Sequence, residues 1–305
     1  NQDLNDWDVS NVTRMDAMFW GAANFNGDIS NWDTSSVTRM NKMFYYANSF
    51  NQDISTKEVT KDGVTYTAWD VSNVTRMNDM FHAGLNQTSL FNQDISNWDV
   101  SKVTDMEQMF YYATSFNQDL NWNVSSVTDF SSMFYAAQSF DQDLSSWDIS
   151  SATNMGDMFK YANSLSNVNK GLLHASFSPN ENWPYDWSEF VNTPPVFSSS
   201  AAVNAAENQT AAATVTATDA DGDTLSYTLT GGADQALFDI VGATGAITFK
   251  SAPDFEAPSD VDANNAYIIE VTVTDDGTGS LTAVQTLTVT VTNVNEAPTD
   301  LTLGN

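Results

Sequence analysis

A unit of about 25 residues is repeated six times in the first half of the chain. Each copy contains Asn-Gln-Asp-Leu/Ile or a close variant, then a tryptophan, then a Met-Phe pair. Successive tryptophans are 25, 37, 29, 24 and 25 residues apart, which implies insertions of 12 and 4 residues. They are Trp7, Trp32, Trp69, Trp98, Trp122 and Trp147. Because separate motifs keep one spacing through all copies, this half is predicted to stack equivalent units around a shared core.

Each unit is predicted to contain one short strand and one short helix. Ile29, Trp32 and Thr34 have the spacing of the strand in a leucine-rich repeat. The run 15–22 places apolar residues at i, i+3, i+4 and i+7, which is typical of one face of a helix. The fold class predicted for residues 1–162 is therefore an α/β leucine-rich-repeat-like solenoid.

Residues 163–191 break the repeat and are predicted to form its C-terminal cap. Lys170–Phe177 has the pattern of a helix, and Trp183–Trp187 is dense in large apolar side chains. A stack of repeats ends in an open apolar edge, which such a segment covers. We expect His174 to be a packed residue of this cap. Because Asn1 falls inside a unit, we also expect the sequence to be part of a longer protein.

Residues 192–296 have a different composition and predict an all-β sandwich. Runs in which apolar residues and Thr alternate, such as 267–274 and 287–292, are typical of strands. A stretch of about 100 residues with short strands and no helical period favours a sandwich. Residues 297–305 are interpreted as the start of the next linker.

Composition excludes several classes of function. The chain has 39 acidic and 10 basic residues and a formal charge of −29, which argues against binding to nucleic acid or anionic lipid. It has no cysteine, so it has no disulfide, no thiolate metal ligand and no thiol nucleophile. No apolar run reaches about 18 residues, so direct membrane insertion is not predicted.

Motifs in the second half resemble those of cadherin-like domains. In chain order they are Ala206-Glu207-Asn208, 218–223 (TDADGD), 254–256 (DFE), Thr274-Asp275 and 293–298 (NVNEAP). The resemblance implies Ca²⁺ at both ends of the domain, held by the oxygen ligands that this ion prefers. The ligands it implies at the C-terminal end are Glu207, Asp254, Glu256, Asp275, Asn293, Asn295 and Glu296. Those at the N-terminal end are Asp219 and Asp221, with Asn192 as the one upstream residue at a ligand position. Solvated acidic turns are the alternative interpretation.

The repeats also resemble a known family. The phrases FNQDISNWDVS and VTRMNDMF, within residues 1–190, are similar to the units of bacterial surface proteins with BspA-like leucine-rich repeats. Joined to a cadherin-like domain, the chain resembles part of a large Ca²⁺-dependent, RTX-type bacterial adhesin. This resemblance implies an extracellular location at the cell surface and an adhesive role.

Stacking of the units predicts two rows of aspartates. The pre-strand row is Asp3, Asp28, Asp53, Asp94, Asp119 and Asp143. The mid-strand row is Asp8, Asp33, Asp70, Asp99 and Asp148. Stacked strands about 4.8 Å apart leave room for a cation with bonds of about 2.4 Å, so both rows are candidate Ca²⁺ sites. The alternative is that each aspartate accepts hydrogen bonds from backbone N–H groups of its own turn.

Two further surfaces are candidates for partner binding. Rings after the Met-Phe pairs are predicted to point outward, where they form a binding surface or fill grooves between units. They are Trp20, Tyr45, Tyr46, Tyr111, Tyr112 and Tyr135. The insertion 55–68 predicts a hairpin, and its Lys57 and Lys61 place positive charge on an acidic chain. A second, smaller insertion lies within 84–90, and decoration without function is the alternative for both.

These observations predict a non-catalytic, extracellular adhesin segment. The solenoid would bind a cell-surface or extracellular protein, a glycan, or a second copy bridged by Ca²⁺, and the cadherin-like domain would be a Ca²⁺-rigidified spacer. One alternative is a structural extender that binds nothing. Another is an enzyme acting on polysaccharides with paired carboxylates, but no pair of the repetitive aspartates departs from the pattern as a tuned acid and base would.

Overall fold

The computed structural model describes residues 2–85 and 87–296. The chain divides after Val191 into two compact units. We call the part up to Val191 the repeat region and the part from Asn192 onward the C-terminal unit. The segment 297–305, interpreted as the next linker, lies outside the described residues.

The repeats are joined by isolated parallel bridges rather than by strands and helices. The bridges link equivalent residues of successive repeats, namely Arg14, Arg39, Arg76, Asp105, Asp129 and Asn154. Among the described residues up to 162, the strands are those of one hairpin and no helix is found. The prediction of a strand and a helix in each unit of an α/β leucine-rich-repeat-like solenoid is therefore wrong.

The segment around each Met-Phe pair is a series of turns because its N–H groups alternate between two kinds of acceptor. In the second repeat, Met40, Lys42, Phe44 and Tyr46 donate to carbonyls of the next repeat at 2.8 to 3.1 Å. The N–H groups between them close turns within the repeat, as Met43 does onto Met40. Lys42 and Tyr46 have positive φ values of 58° and 61°, which interrupt the helical dihedral angles. The same spacing of apolar residues is thus compatible with successive turns.

Stacked rings fill the interior of the repeat region. Phe110 lies nearly parallel to Phe81 and Phe134, with ring centroids 5.6 and 5.5 Å apart. The tryptophans form a second stack, with centroids of neighbours 6.2 to 6.5 Å apart where they are in ring contact. From Trp32 to Trp147, each indole N–H donates to a carbonyl of the preceding repeat. Burial of these rings between neighbours provides the hydrophobic stabilisation that one repeat lacks by itself.

A ladder of asparagines runs along the same stack. Asn51 Oδ1 accepts the backbone N–H of Asn92 at 3.0 Å, and Asn92 Oδ1 accepts that of Asn117 at 2.9 Å. Asn117 Oδ1 accepts that of Asp141 at 2.8 Å. The Gln118 side-chain amide adds a second bond to Asn92 Oδ1, at 3.0 Å. This asparagine ladder satisfies backbone donors that would otherwise be left without a partner inside the stack.

The predicted hairpin in the insertion 55–68 is confirmed. Strands β1 (Lys57–Lys61) and β2 (Val64–Ala68) pair in antiparallel fashion. Asp62 and Gly63 join them with φ values of 52° and 78°, which match the left-handed turn that fits the twist of a two-residue hairpin.

The segment after the last repeat contains the helix predicted there. Helix α1 (Asn167–Phe177) begins after Ser166, whose side chain caps it, and a 3₁₀ helix spans Ser188–Phe190. His174 is half-buried, and its Nδ1 accepts the backbone N–H of Trp187 at 3.3 Å. These contacts agree with the expected packing role of this histidine.

The C-terminal unit is an all-β sandwich, as the alternation of apolar residues and Thr predicts. Its strands are β3 (Val196–Phe197), β4 (Ala202–Ala206), β5 (Ala211–Thr214), β6 (Ala217–Thr218), β7 (Ser226–Gly231), β8 (Phe238–Val241), β9 (Ala246–Phe249), β10 (Ala266–Thr274) and β11 (Thr282–Thr292). A 3₁₀ helix spans Gln235–Leu237. One sheet has the order β4-β11-β10-β7, a second has the order β5-β9-β8, and β3 pairs with β6. Buried alternate residues of both larger sheets share one core.

Candidate metal and partner-binding sites

The first candidate metal site lies where β10 ends beside the start of β7, since Thr274 pairs with Ser226. Carboxylate oxygens of Asp219, Asp221 and Asp223 come within 4.8 Å of one another there. Asp219 Oδ1 accepts the N–H groups of Asp221 and Asp223 at 2.8 and 3.3 Å, and this bends the loop so that the three carboxylates converge. We call this group the N-terminal carboxylate cluster.

Asp275 and Asn192 lie beside this cluster. Asp275 Oδ1 accepts the N–H groups of Gly277 and Leu281 at 3.1 and 2.9 Å, and the Asn192 amide at 3.3 Å. The assignment of Asp275 to the C-terminal end is therefore wrong. The physical reason is the antiparallel pairing, which brings the residue after β10 next to the loop 218–223.

The oxygen atoms of the N-terminal carboxylate cluster and its neighbours fit a calcium ion. Asp219 Oδ2, Asp275 Oδ2 and Asn192 Oδ1 are buried without a hydrogen-bond partner, which is unfavourable for polar atoms. Loss of hydration, and then the carboxylates of Asp219 and Asp276, raise the pKa of Asp223. A cation would relieve both costs, and a set made only of oxygen donors suits Ca²⁺.

The first site thus lies beside the start of β11, since Thr274 also pairs with Thr282. The second candidate metal site lies at the opposite end of the sandwich, where β11 ends and Glu207 N–H donates to the carbonyl of Thr292. Carboxylate oxygens of Glu207, Asp254 and Glu256 come within 4.8 Å of one another. Glu207 is buried, and its two oxygens accept the N–H groups of Phe255 at 2.8 Å and Val294 at 2.7 Å. These bonds fasten the loops to the end of the sandwich. We call this group the C-terminal carboxylate cluster.

The remaining residues predicted for this end differ in their contacts. The Asn293 amide donates to Glu256 Oε1, so this residue joins the cluster. Glu296 is held by the Asn208 amide. Asn295 is exposed, and no hydrogen bond or ion pair involves it within the described part of the chain.

Sequence reasoning did not assign Asp223 as a ligand, although its motif was recognised. The signal for it is the alternation of aspartates at 219, 221 and 223. In a loop that bends around its first aspartate, every second residue turns to the same side.

The two aspartate rows of the repeat region cap turns. Every member except Asp119 accepts, through Oδ1, the backbone N–H of the residue two positions later, at 2.8 to 3.1 Å. Asp119 accepts a side-chain amide instead. Bonds from the following serines hold the pKa values of Asp94 and Asp99 below their usual range. These contacts support the turn-capping interpretation, while Ca²⁺ in the rows stays a prediction.

The predicted outward rings form a continuous stack. Ring centroids are 5.1 Å apart from Trp20 to Tyr45, 4.3 Å from Tyr45 to His82, 4.4 Å from His82 to Tyr111 and 4.7 Å from Tyr111 to Tyr135. His82 is buried and the tyrosines are half-buried, whereas Trp20 is 55% exposed. Burial raises the pKa of Tyr111. Groove filling therefore accounts for much of the stack.

Two of the predicted rings, Trp20 and Tyr46, are exposed near the N-terminal end of this stack. Tyr46 is exposed beside Tyr45, and the equivalent Tyr112 is half-buried beside Tyr111. Lys42 Nζ lies 5.5 Å from the centroid of Trp20, a distance typical of a cation–π contact. Trp20 and Tyr46 are thus the exposed members of the predicted set of rings.

The lysines of the hairpin are both paired. Lys57 Nζ lies 2.7 Å from Asp53 Oδ2, and Lys61 Nζ lies 3.1 Å from Asp6 Oδ1. These ion pairs therefore connect the hairpin to the repeats, and the two lysines do not present free positive charge.

A groove of about 470 Å³, with Trp7 in its wall, lies between the hairpin and the first repeats.

Comparison with known proteins agrees with the class that this geometry defines, a stack of repeats together with a cadherin-like domain. The family model described as Cadherin domain matches residues 200–292. Human protocadherin-24 EC1-2 is 23% identical, covering 33% of this chain and 44% of that chain with a TM-score of 0.28. Drosophila N-cadherin EC1-4 is 27% identical, covering 34% and 25% with a TM-score of 0.29. The chain thus spans less than half of either structure. No match is found among curated proteins.

The model described as Mycoplasma protein of unknown function, DUF285, matches residues 1–82 and 57–171. Because these matches span more than half of the sequence, the chain belongs to this family. Neither family model describes an enzyme. The cadherin match fits an adhesion or spacer role and an extracellular location. Within the described ranges, no helix has the length and apolar character needed to cross a bilayer.

Proposed function

We propose that the chain is a non-catalytic segment of an extracellular bacterial adhesin. In this proposal the repeat region binds a protein or glycan partner, and the C-terminal unit is a spacer that Ca²⁺ stiffens at both ends. The cadherin match and the position of one carboxylate cluster at each end of β11 support this arrangement.

The observation that carries the proposal is the set of buried oxygens without partners in the N-terminal carboxylate cluster and its neighbours Asp275 and Asn192. Without a cation, the converging carboxylates repel one another and weaken the loops that hold them. A bound Ca²⁺ replaces this repulsion with attraction and fixes the loops. Such an end is stiff, which is what a spacer between domains requires.

Calorimetry of the whole chain tests the calcium proposal. A ligand present at a hundred times its Kd stabilises the folded state by about 2.7 kcal/mol, which raises the melting temperature of a domain of this size by about 10 to 20 °C. We expect such a rise for the C-terminal unit in millimolar Ca²⁺ and its loss with chelator.

Two variants separate ligation from a general effect of charge. Asp219→Asn removes a cluster ligand and should reduce the Ca²⁺-dependent rise to less than half. Asp239→Asn removes an exposed carboxylate of β8 outside both clusters and should leave the rise unchanged. A wild-type unit whose melting temperature is the same with Ca²⁺ and with chelator would contradict the proposal.

Partner binding by the repeat region is tested separately, with the labelled chain on a glycan array and on immobilised extracellular-matrix proteins. We expect the triple variant Trp20→Ala, Tyr45→Ala, Tyr111→Ala to lose binding while Val196→Ala, an exposed apolar residue of the C-terminal unit, keeps it. Circular dichroism checks that the triple variant is folded. Unchanged binding by the triple variant would place the contact outside these rings. No binding by the wild-type chain would favour a structural extender, which the half-buried state of most rings also fits.

A further inference from the structure

All three arginines of the chain occupy one position of the repeat. In the first three repeats this position holds Arg14, Arg39 and Arg76, and in the next three it holds Asp105, Asp129 and Asn154. Parallel bridges join these six residues in order, so they form one continuous row, which we call the charged row. The row is positive over its first half and negative over most of its second.

This order of charges is unfavourable within a single copy. Neighbouring strands lie about 4.8 Å apart, so like charges on adjacent members of the row repel each other. Burial, and then the Asp129 carboxylate, raise the pKa of Asp105, even though Arg76 Nε lies 3.9 Å from its Oδ2. Alternating charges would have avoided this repulsion. The observed order therefore leaves like charges at adjacent positions of one copy.

Arg39 and Asp129, the second and fifth members of the row, have no counterion among the described residues, whereas the central Arg76 and Asp105 lie 3.9 Å apart. Within the described part of the chain, Arg39 has no ion pair and no side-chain hydrogen bond. Asp129 accepts bonds from Ser131 and Asn154 but meets no cation. At the start of the row, by contrast, Arg14 is neutralised by Asp16 at 2.7 Å.

The surface beside the row permits close approach. The residue that precedes each member is threonine in all six repeats, and every one of these threonines is exposed. They are Thr13, Thr38, Thr75, Thr104, Thr128 and Thr153. Their backbone N–H groups from Thr38 onward each donate to the threonine carbonyl of the preceding repeat at 2.9 Å, which keeps this edge regular.

We propose that a second copy of this chain docks on the charged row in antiparallel orientation, about a two-fold axis between Arg76 and Asp105. Reversal of the row then places Arg39 of one copy opposite Asp129 of the other, and Arg76 opposite Asp105. Each pairing occurs twice because the contact is symmetric. Unshifted parallel docking would place arginine against arginine. The docking uses none of the Ca²⁺ ligands and does not depend on the proposed adhesin function.

Sedimentation velocity of the whole chain in chelator tests this proposal. We expect a dimer at about 50 mM salt whose Kd rises at least about tenfold at about 500 mM, because the Debye length falls from above about 10 Å to below about 5 Å. Arg39→Glu turns both symmetric pairs into repulsions and should raise the Kd at least about tenfold. Lys250→Glu makes the same change of net charge in the C-terminal unit and should leave the Kd unchanged.

Charge reversal distinguishes this pairing from a structural effect. The variant Arg39→Glu, Asp129→Arg keeps the wild-type net charge and exchanges the partners, so it should restore the dimer. Arg76→Glu, Asp105→Arg provides an independent second reversal, and near-ultraviolet circular dichroism checks the stacked tryptophans of each variant. A wild-type monomer at low salt, an Arg39→Glu variant that dimerises normally, or species that grow beyond a dimer with concentration would each overturn the proposal.

Discussion

Removal of one acceptor from the asparagine ladder should destabilise the repeat region far more than an ordinary half-buried substitution. Asn92 Oδ1 accepts two hydrogen bonds, from the Asn117 backbone N–H at 2.9 Å and from the Gln118 amide at 3.0 Å. Asn92→Ala leaves both donors without this partner. The Gln118 amide can turn towards water, but the backbone N–H is held in place by the stack.

The expected loss follows from these two bonds. Asn117 is half-buried. A backbone donor that is shielded from water and left unsatisfied costs about 1 to 3 kcal/mol, and a lost hydrogen bond that water replaces costs about 1 kcal/mol. We therefore expect Asn92→Ala to lower the free energy of unfolding by about 2 to 4 kcal/mol. Urea unfolding at pH 7, followed by tryptophan fluorescence, measures this value because the tryptophans are stacked along the same region.

The matched control is Asn92→Asp, which keeps an acceptor oxygen at the same place. The chain already uses an aspartate there, since Asp141 Oδ1 accepts the Ser166 N–H at 2.8 Å. The control should lose less than about 1 kcal/mol. If Asn92→Ala and Asn92→Asp unfold at the same urea concentration, the ladder does not stabilise the stack and the reasoning from its bonds is wrong.

Three further outcomes are expected. Phe110→Ala should cost about 3 to 5 kcal/mol in urea unfolding, because the ring is fully buried between those of the two neighbouring repeats, and Phe110→Leu should cost less. Asp99→Asn should lower stability by less than about 1 kcal/mol at pH 7. Because bonds from Ser101 lower the folded-state pKa of Asp99, its contribution is present above the unfolded value of about 3.9 and is lost as pH falls through the folded one. A difference between the two proteins that grows as pH falls would contradict this. Gly277→Ala should abolish the Ca²⁺-dependent rise in calorimetry without changing the repeat region, because its Cβ would collide with the Asp223 carboxylate; an unchanged rise would place the ion elsewhere.

Spacing in the sequence was sufficient to predict that equivalent residues stack. The tryptophans from Trp69 to Trp147 lie parallel along the repeat region, and each donates its indole N–H to the preceding repeat. The alternation of apolar residues and Thr likewise predicted the sandwich, and Asp-Gly predicted the hairpin turn. These predictions succeeded because each depends only on distances along the chain.

The candidate sites were predictable in part for the same reason. Asp219 and Asp221 lie within one loop, so their convergence follows from local sequence. The end at which Asp275 lies depends on how β10 pairs with β7, which no local pattern specifies. Exposure of Tyr111 depends on the His82 and Tyr135 rings above and below it, which come from other repeats.

The order of residues along the chain is enough to predict the period of the repeats, the acidity of the chain, the two-part organisation and the residue types at each stacked position. Whether the Met-Phe segment forms a helix or turns depends instead on contacts between repeats. In a helix the amide of Phe44 would donate to the carbonyl of Met40, four residues earlier, but here it donates to that of Met80 in the next repeat. The hydrogen bond to the next repeat can form only when two repeats are in contact, because its acceptor is a carbonyl of the neighbouring repeat.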